Sequence, residues 1–175
     1  MPKRRSTRRT SVEWEHQSQF RERWTAVPPP RSPSSSRAGG AREWVNTLFD
    51  TIYRAYNAQD ADATRDCYAP SVQITVNGVL GPGDRESFVE ALSEQWAGFP
   101  DLTATETNRI LIEDRVITEM RIEGHNSAPF LGRPATRKPW QVSLVWVCRV
   151  DEGQVQEIRV YIDDSALRSA ITASS

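Results

Sequence analysis

Two strand-like runs joined by a long, proline-pinned connection constrain this chain more than any other feature. Arg115 to Glu123 (RVITEMRIE) alternates apolar and polar residues, the period of a half-buried strand. Gln141 to Val150 (QVSLVWVCRV) is nearly all apolar or β-branched, as a more deeply buried strand would be. Between them runs GHNSAPFLGRPATRKPW, Gly124 to Trp140, in which Gly132, Pro134 and Pro139 restrict the path of the backbone. A shaped connection of this length between long strands predicts a curved sheet with a built rim.

The preceding segments read as helices. Trp44, Val45, Leu48, Phe49, Ile52, Tyr53 and Tyr56 recur at helical spacing, which predicts a helix from near Arg42 with a wide apolar stripe. Asp60 is placed to cap a short helix over Ala61–Tyr68, ended by Pro70. Ser71–Val76 is a first strand, followed by the turn signal Asn77-Gly78. Asp84 then caps a helix whose face carries Phe88, Leu92 and Trp96, with Gly98 and Pro100 as its stop. Strands are expected over Leu102–Glu113, Arg115–His125, Trp140–Val150 and Val155–Ile162, and a closing helix over Asp164–Ile171. Helices first and neighbouring strands afterwards argue for an α+β fold rather than a doubly wound one. A strongly bent sheet wrapped around the first helix would make a cone with one open end, a shape that holds small molecules.

Charge divides the chain unevenly. Residues 1–40 hold nine Lys/Arg against three acids, while residues 41–175 hold thirteen against twenty. The first forty residues also contain Pro28-Pro29-Pro30 and RSPSSSRAGG, a composition too poor in apolar surface to offset chain entropy. They read as a disordered basic tail on a folded domain of residues 41–175, and the low mean hydropathy of −0.59 fits that division. Arg4-Arg5 and Arg8-Arg9 precede no apolar run, so a secretory signal is not expected; an organellar, nuclear or nucleic-acid-binding role for the tail stays open. Trp14, Phe20 and Trp24 are its only aromatic residues.

No apolar run reaches the roughly 20 residues a membrane-spanning helix needs. Cys67 and Cys148 make neither a disulfide framework nor a metal cluster, and Cys148 reads as a small core residue; a cytoplasmic location fits. The motifs of nucleotide-binding, serine-nucleophile and zinc chemistry are missing from the sequence, so no cofactor or metal is expected.

The chain resembles the SnoaL-like polyketide cyclases, within the broader nuclear-transport-factor-2-like superfamily, over about residues 43–171. The likeness rests on Tyr56-Asn57-Ala58-Gln59-Asp60 with Tyr68-Ala69-Pro70, on Phe99-Pro100-Asp101-Leu102, on Gly124 with Phe130 to Thr136, and on Glu157, Tyr161-Ile162-Asp163 and Leu167. It implies a curved, mixed but mainly antiparallel sheet wrapped around an N-terminal helix. It also implies a small hydrophobic substrate and a homodimer formed through the outer sheet face.

In these cyclases a carboxylate on the last strand acts as general acid/base on a polyketide enol without a cofactor. The resemblance places Val160 in that slot, Ile158 and Trp146 where relatives carry histidines, and Ile74 at a usually polar position of the first strand. Direct transfer of the cyclase mechanism is therefore not supported, and a non-catalytic binding or assembly protein stands as the alternative.

The catalytic candidates left are Asn126, whose amide would hold an oxyanion; His125, as acid/base if the strand bulges; and Asp163, if burial raises its pKa. For Asp163 the competing role is a helix cap, for His125 a solvent-facing position, and for Tyr53 and Tyr56 core packing. Tyr53, Tyr56, Trp96, Trp140, Trp146, Val160 and Tyr161 are the candidate ligand-lining residues. A nucleic-acid partner and a membrane are not expected for the folded part.

Overall fold

A computed structural model describes residues 35–81 and 83–172. The expected disordered tail and its aromatic residues lie outside the described residues, apart from the last few positions, which are helical. Helix α1 spans Ser35–Asn57 and thus begins well before Arg42. Val45, Leu48, Phe49, Ile52 and Tyr56 are buried along its inner stripe, whereas Trp44 is exposed and Tyr53 only half-buried.

Helix α2 covers Ala61–Asp66, and the Asp60 carboxylate accepts from the amides of Asp62 and Ala63 as a cap should. It stops earlier than its pattern suggests because Tyr68 pairs with Val155, so Tyr68, Ala69 and Pro70 open strand β1 (Tyr68–Val76). Pro70 is tolerated there because the pairing is irregular between Tyr68 and Gln73, where no ladder amide is required of it. Asn77 and Gly78, both at positive φ (50° and 80°), turn the chain into the short strand β2, Val79–Leu80.

Helix α3 (Arg85–Gly98) is capped by Asp84, which accepts from the Ser87 amide, and buries Phe88, Leu92 and Trp96 as its spacing predicts. Strands β3 (Thr103–Ile112), β4 (Arg115–His125), β5 (Pro139–Asp151) and β6 (Gln154–Ile162) follow, and α4 (Asp164–Ile171) closes the described chain. The six strands form one curved sheet in the order β2-β1-β6-β5-β4-β3. Every pairing is antiparallel except β1 with β6, which makes the sheet mixed.

Strict alternation of burial along β5, from Trp140 to Val150, turns one face of the sheet onto α1 and α3. Phe49, Val72, Phe99, Val155 and Ile158 lie at the centre of the resulting core, fully removed from solvent.

The connection between β4 and β5 docks on the end of α3. The Gly98 carbonyl accepts from the amides of Ser127 and Ala128. A Cβ at Gly98 would stand 2.8 Å from the Phe130 Cβ, so only glycine lets the loop approach this closely.

Candidate functional site in the concave face of the sheet

Cross-strand register aligns Arg109, Thr118, Trp146, Val160 and Val76 in one rank across β3, β4, β5, β6 and β1. The next rank consists of Leu111, Val116, Cys148, Ile158 and Ile74. Ile158, Trp146 and Ile74 are buried and Val160 is half-buried, so the four slots face inward and are apolar, as the alternation predicts. Residues of the first rank and its surroundings that keep partial exposure include Tyr53, Glu106, Arg109, Val160 and Ile162. Two surface grooves, about 680 Å³ beside Trp44, Leu48 and Cys67 and about 530 Å³ between Leu131, Arg133 and Leu167, lie away from this rank.

The candidate ligand-lining residues are only partly brought together. Tyr56 packs edge-on to Trp96 at 5.7 Å and donates its hydroxyl to Gln95 Oε1 at 3.1 Å. Trp140 sits further along, against Phe99 at 5.1 Å, and its indole N–H, like that of Trp96, is buried without a protein acceptor. Tyr161 does not line the interior. It is 48% exposed on the outer face, because it directly follows the inward-facing Val160 on a strand whose side chains alternate.

The catalytic candidates read from the sequence occupy structural positions. Asp163 is exposed and caps α4, accepting from the Ser165 amide at 2.8 Å. Hydrogen bonds from Ser165 hold its carboxyl below the usual range, the reverse of the rise that burial would have caused. Asn126 is buried, but its amide is spoken for. Nδ2 donates to the carbonyls of Ala128 (2.9 Å) and Gly98 (3.4 Å), while Oδ1 accepts from the Thr136 amide (2.8 Å) and hydroxyl (3.2 Å). Nothing is left to hold a substrate oxygen; Asn126 ties the loop shut. His125 points outward, with Nδ1 2.7 Å from Asp101 Oδ2 and its amide donating to Asp101 Oδ1 at 2.7 Å. That amide bond is the main cause of the lowered pKa of Asp101. Cys148 is a core thiol whose pKa burial pushes up, and Cys67, also buried, rises to about 11.

What the sequence reading missed is a polar chain entering the concave face from the sheet edge. The Tyr53 oxygen lies 2.6 Å from Thr118 Oγ1, and Thr118 donates to Glu106 Oε1 at 2.7 Å. Arg109 donates to both Glu106 oxygens (2.8 and 2.6 Å) and to Asp50 at 2.8 Å, with its guanidinium over the Phe49 ring at 5.5 Å. Thr118 is fully buried.

Strict alternation puts Glu106 and Arg109 on opposite faces of β3. A bulge between Glu106 and Asn108 lets Arg109 pair opposite Thr118 and brings both charged side chains to the same face. The trace in the sequence is the run Thr105 to Arg109, polar on both parities, followed by Ile110-Leu111-Ile112, apolar on both. Among the described residues no three His, Cys, Asp or Glu side chains cluster as a metal site would require.

A curved six-stranded sheet closed over a helix, with a mostly apolar concave face, is the nuclear-transport-factor-2-like fold. Within it, the model of the SnoaL-like polyketide cyclase family matches residues 46–171, and the chain belongs to that family. A candidate SnoaL-like polyketide cyclase from Jannaschia sp. CCS1 is 24% identical, with a TM-score of 0.69 over 85% of this chain and 100% of that one. IdmH from Streptomyces antibioticus, a candidate polyketide cyclase, is 25% identical with a TM-score of 0.62 over 71% and 96%. AclR from Streptomyces galilaeus, a candidate hydroxylase, is 20% identical with a TM-score of 0.65 over 72% and 93%. The first and last of these similarities speak to the fold alone. No protein of curated function matches the chain significantly in sequence.

Proposed function

We propose that this protein is a cofactor-independent enzyme of the cyclase, isomerase or dehydratase type. Its substrate would be a small apolar polyketide- or terpenoid-like molecule of secondary metabolism, held on the concave face of the sheet. The observation that carries the reading is the composition of one rank: Trp146 and Val160 offer apolar contact, while Thr118 beside them belongs to a hydrogen-bonded chain ending in a carboxylate. An apolar site with a few convergent polar groups can desolvate, fold and deprotonate a reactive carbonyl compound. By family likeness the active form is a cytoplasmic homodimer.

A specific observation favours a second reading, that of a ligand-binding or assembly protein. Ile74, Trp146, Ile158 and Val160 fill positions where related cyclases carry polar chemistry. Binding and turnover separate the two. With the protein kept in chelator and 2-tetralone as a planar ketone probe, quenching of tryptophan fluorescence reports binding, and hydrogen–deuterium exchange at the probe's α-carbon reports chemistry. Binding with exchange above the buffer rate supports the enzyme; binding alone supports the second reading.

A further inference from the structure

The polarity of the buried hydrogen-bond chain determines which group can act on a substrate. A hydroxyl has a single proton to donate. Thr118 gives its proton to Glu106 Oε1, so within the Tyr53–Thr118 pair the phenol must be the donor. The Tyr53 oxygen therefore keeps only lone pairs free, and can accept but not donate a further hydrogen bond. Fully buried Thr118 lies between half-buried Tyr53 and half-buried Glu106, so the chain connects the interior to a carboxylate nearer the sheet edge. A cluster serving only to hold β3 would be complete with Glu106, Arg109 and Asp50; extending it inward through Thr118 to Tyr53 adds a path for a proton.

We propose that Tyr53 is the catalytic base and acid of this protein, with Thr118 and Glu106 relaying its proton and Arg109 positioning Glu106. This rests on the enzyme reading given above and replaces the last-strand carboxylate of the related cyclases. The substrate is an enolisable carbonyl compound. Its α-proton, or the proton of its enol hydroxyl, passes to the Tyr53 oxygen as the phenolic proton moves to Thr118 Oγ1 and the Thr118 proton moves to Glu106 Oε1. The electron pair of the broken C–H or O–H bond stays on the substrate as an enolate, and Glu106 becomes the neutral acid. Reverse flow delivers the proton to a second substrate atom: another carbon in an isomerisation, the new alkoxide in an aldol closure, or a departing hydroxide that leaves as water. No oxidant, reductant or metal is needed for the balance.

Two features suit the chain to this use. Burial holds the Tyr53 phenol above its usual pKa, so a free phenolate is disfavoured and transfer along the chain becomes the easier path. Arg109 is shared between Glu106 and Asp50 and also donates to the Asn46 carbonyl at 3.0 Å. The guanidinium thus holds the Glu106 carboxylate in one rotamer while dividing its charge between two acids.

The test uses the full chain and deuterium exchange at the α-carbon of 2-tetralone, followed by NMR, with binding followed by tryptophan quenching. Tyr53→Phe and Thr118→Val should each lower exchange by about 100-fold while the probe still binds. Thr118→Ser, which keeps the hydroxyl, should restore most of the rate, and the relay should give a solvent isotope effect that is lost in Tyr53→Phe. Thermal unfolding of each variant shows whether the fold is retained, and Thr118→Ser together with the isotope effect still decides the matter if Thr118→Val does not fold. Exchange that survives in folded Tyr53→Phe, or that Thr118→Ser fails to restore, overturns the relay and leaves the enzyme reading in place. A wild-type protein that binds the probe without exchanging it overturns both, and one that does not bind it removes the proposed site as well.

Discussion

At the scale of single residues, polar groups on this chain divide into those that hold backbone and those proposed to meet a ligand, and the division follows their partners rather than their chemical type. Asn126 has the burial of a catalytic amide, yet its side chain spends its hydrogen bonds on Gly98, Ala128 and Thr136. Asn126→Ala would strand the Thr136 amide and the Ala128 carbonyl, and should cost about 3 kcal/mol in urea unfolding. Asp163 is an exposed cap, so Asp163→Asn should leave exchange of the 2-tetralone probe unchanged and lower the melting temperature only slightly. A large loss of exchange in that variant would restore Asp163 as a catalytic group. Neither assignment could be read from residue type alone, because an amide or carboxylate near a predicted rim serves structure or chemistry according to what surrounds it.

At the scale of elements, the periodic segments declare themselves and the irregular ones do not. The spacing of Phe88, Leu92 and Trp96 on α3 and the alternation of β5 correspond to elements whose bounds agree closely with expectation. Two departures matter: β1 begins at Tyr68 because β6 pairs with it, and β3 bulges after Glu106. The bulge creates the polar chain at Thr118, which therefore escaped a reading based on strict alternation.

The outer face carries a second arrangement visible only in the assembled sheet. Glu157 on β6 receives Arg159 (2.7 Å) from its own strand and Arg115 (3.1 Å) from β4, with Arg149 of β5 at 3.9 Å. Burial works against its charge, but the hydrogen bonds from Arg159 and Arg115 prevail and hold its pKa below the usual value. A depressed carboxylate stabilises the fold above its unfolded pKa, near 4.3, and loses that contribution as pH falls through the folded value. Glu157→Gln should therefore flatten the acid limb of stability from just above pH 4.3 downward, as measured by urea midpoints across pH.

At the scale of the whole molecule, the outer face also presents an apolar row, Ile110, Ile117 and Val147, in cross-strand register, with Tyr161 paired to neighbouring Val145. The homodimer proposed from family likeness would bury this row. Ile110→Glu with Val147→Glu should shift sedimentation to the monomer while leaving the concave face intact; a wild-type protein that sediments as a monomer at all concentrations would end that expectation. No helix among the described residues is long and apolar enough to cross a membrane.

By itself the sequence determined the order and type of the main elements, the mixed α+β class and the family, because periodic burial and turn chemistry are local and leave a residue-by-residue trace. It also determined that Val160, Ile158, Trp146 and Ile74 are apolar at the slots to which the family resemblance assigns polar chemistry. Only the tertiary structure brought together the polar chain proposed to take their place. Tyr53, Thr118, Glu106 and Arg109 come from α1, β4 and β3, and they meet because one bulge reverses the parity of an edge strand. A hydrogen bond across 65 positions of sequence depends on packing, and no pattern along the chain encodes its direction.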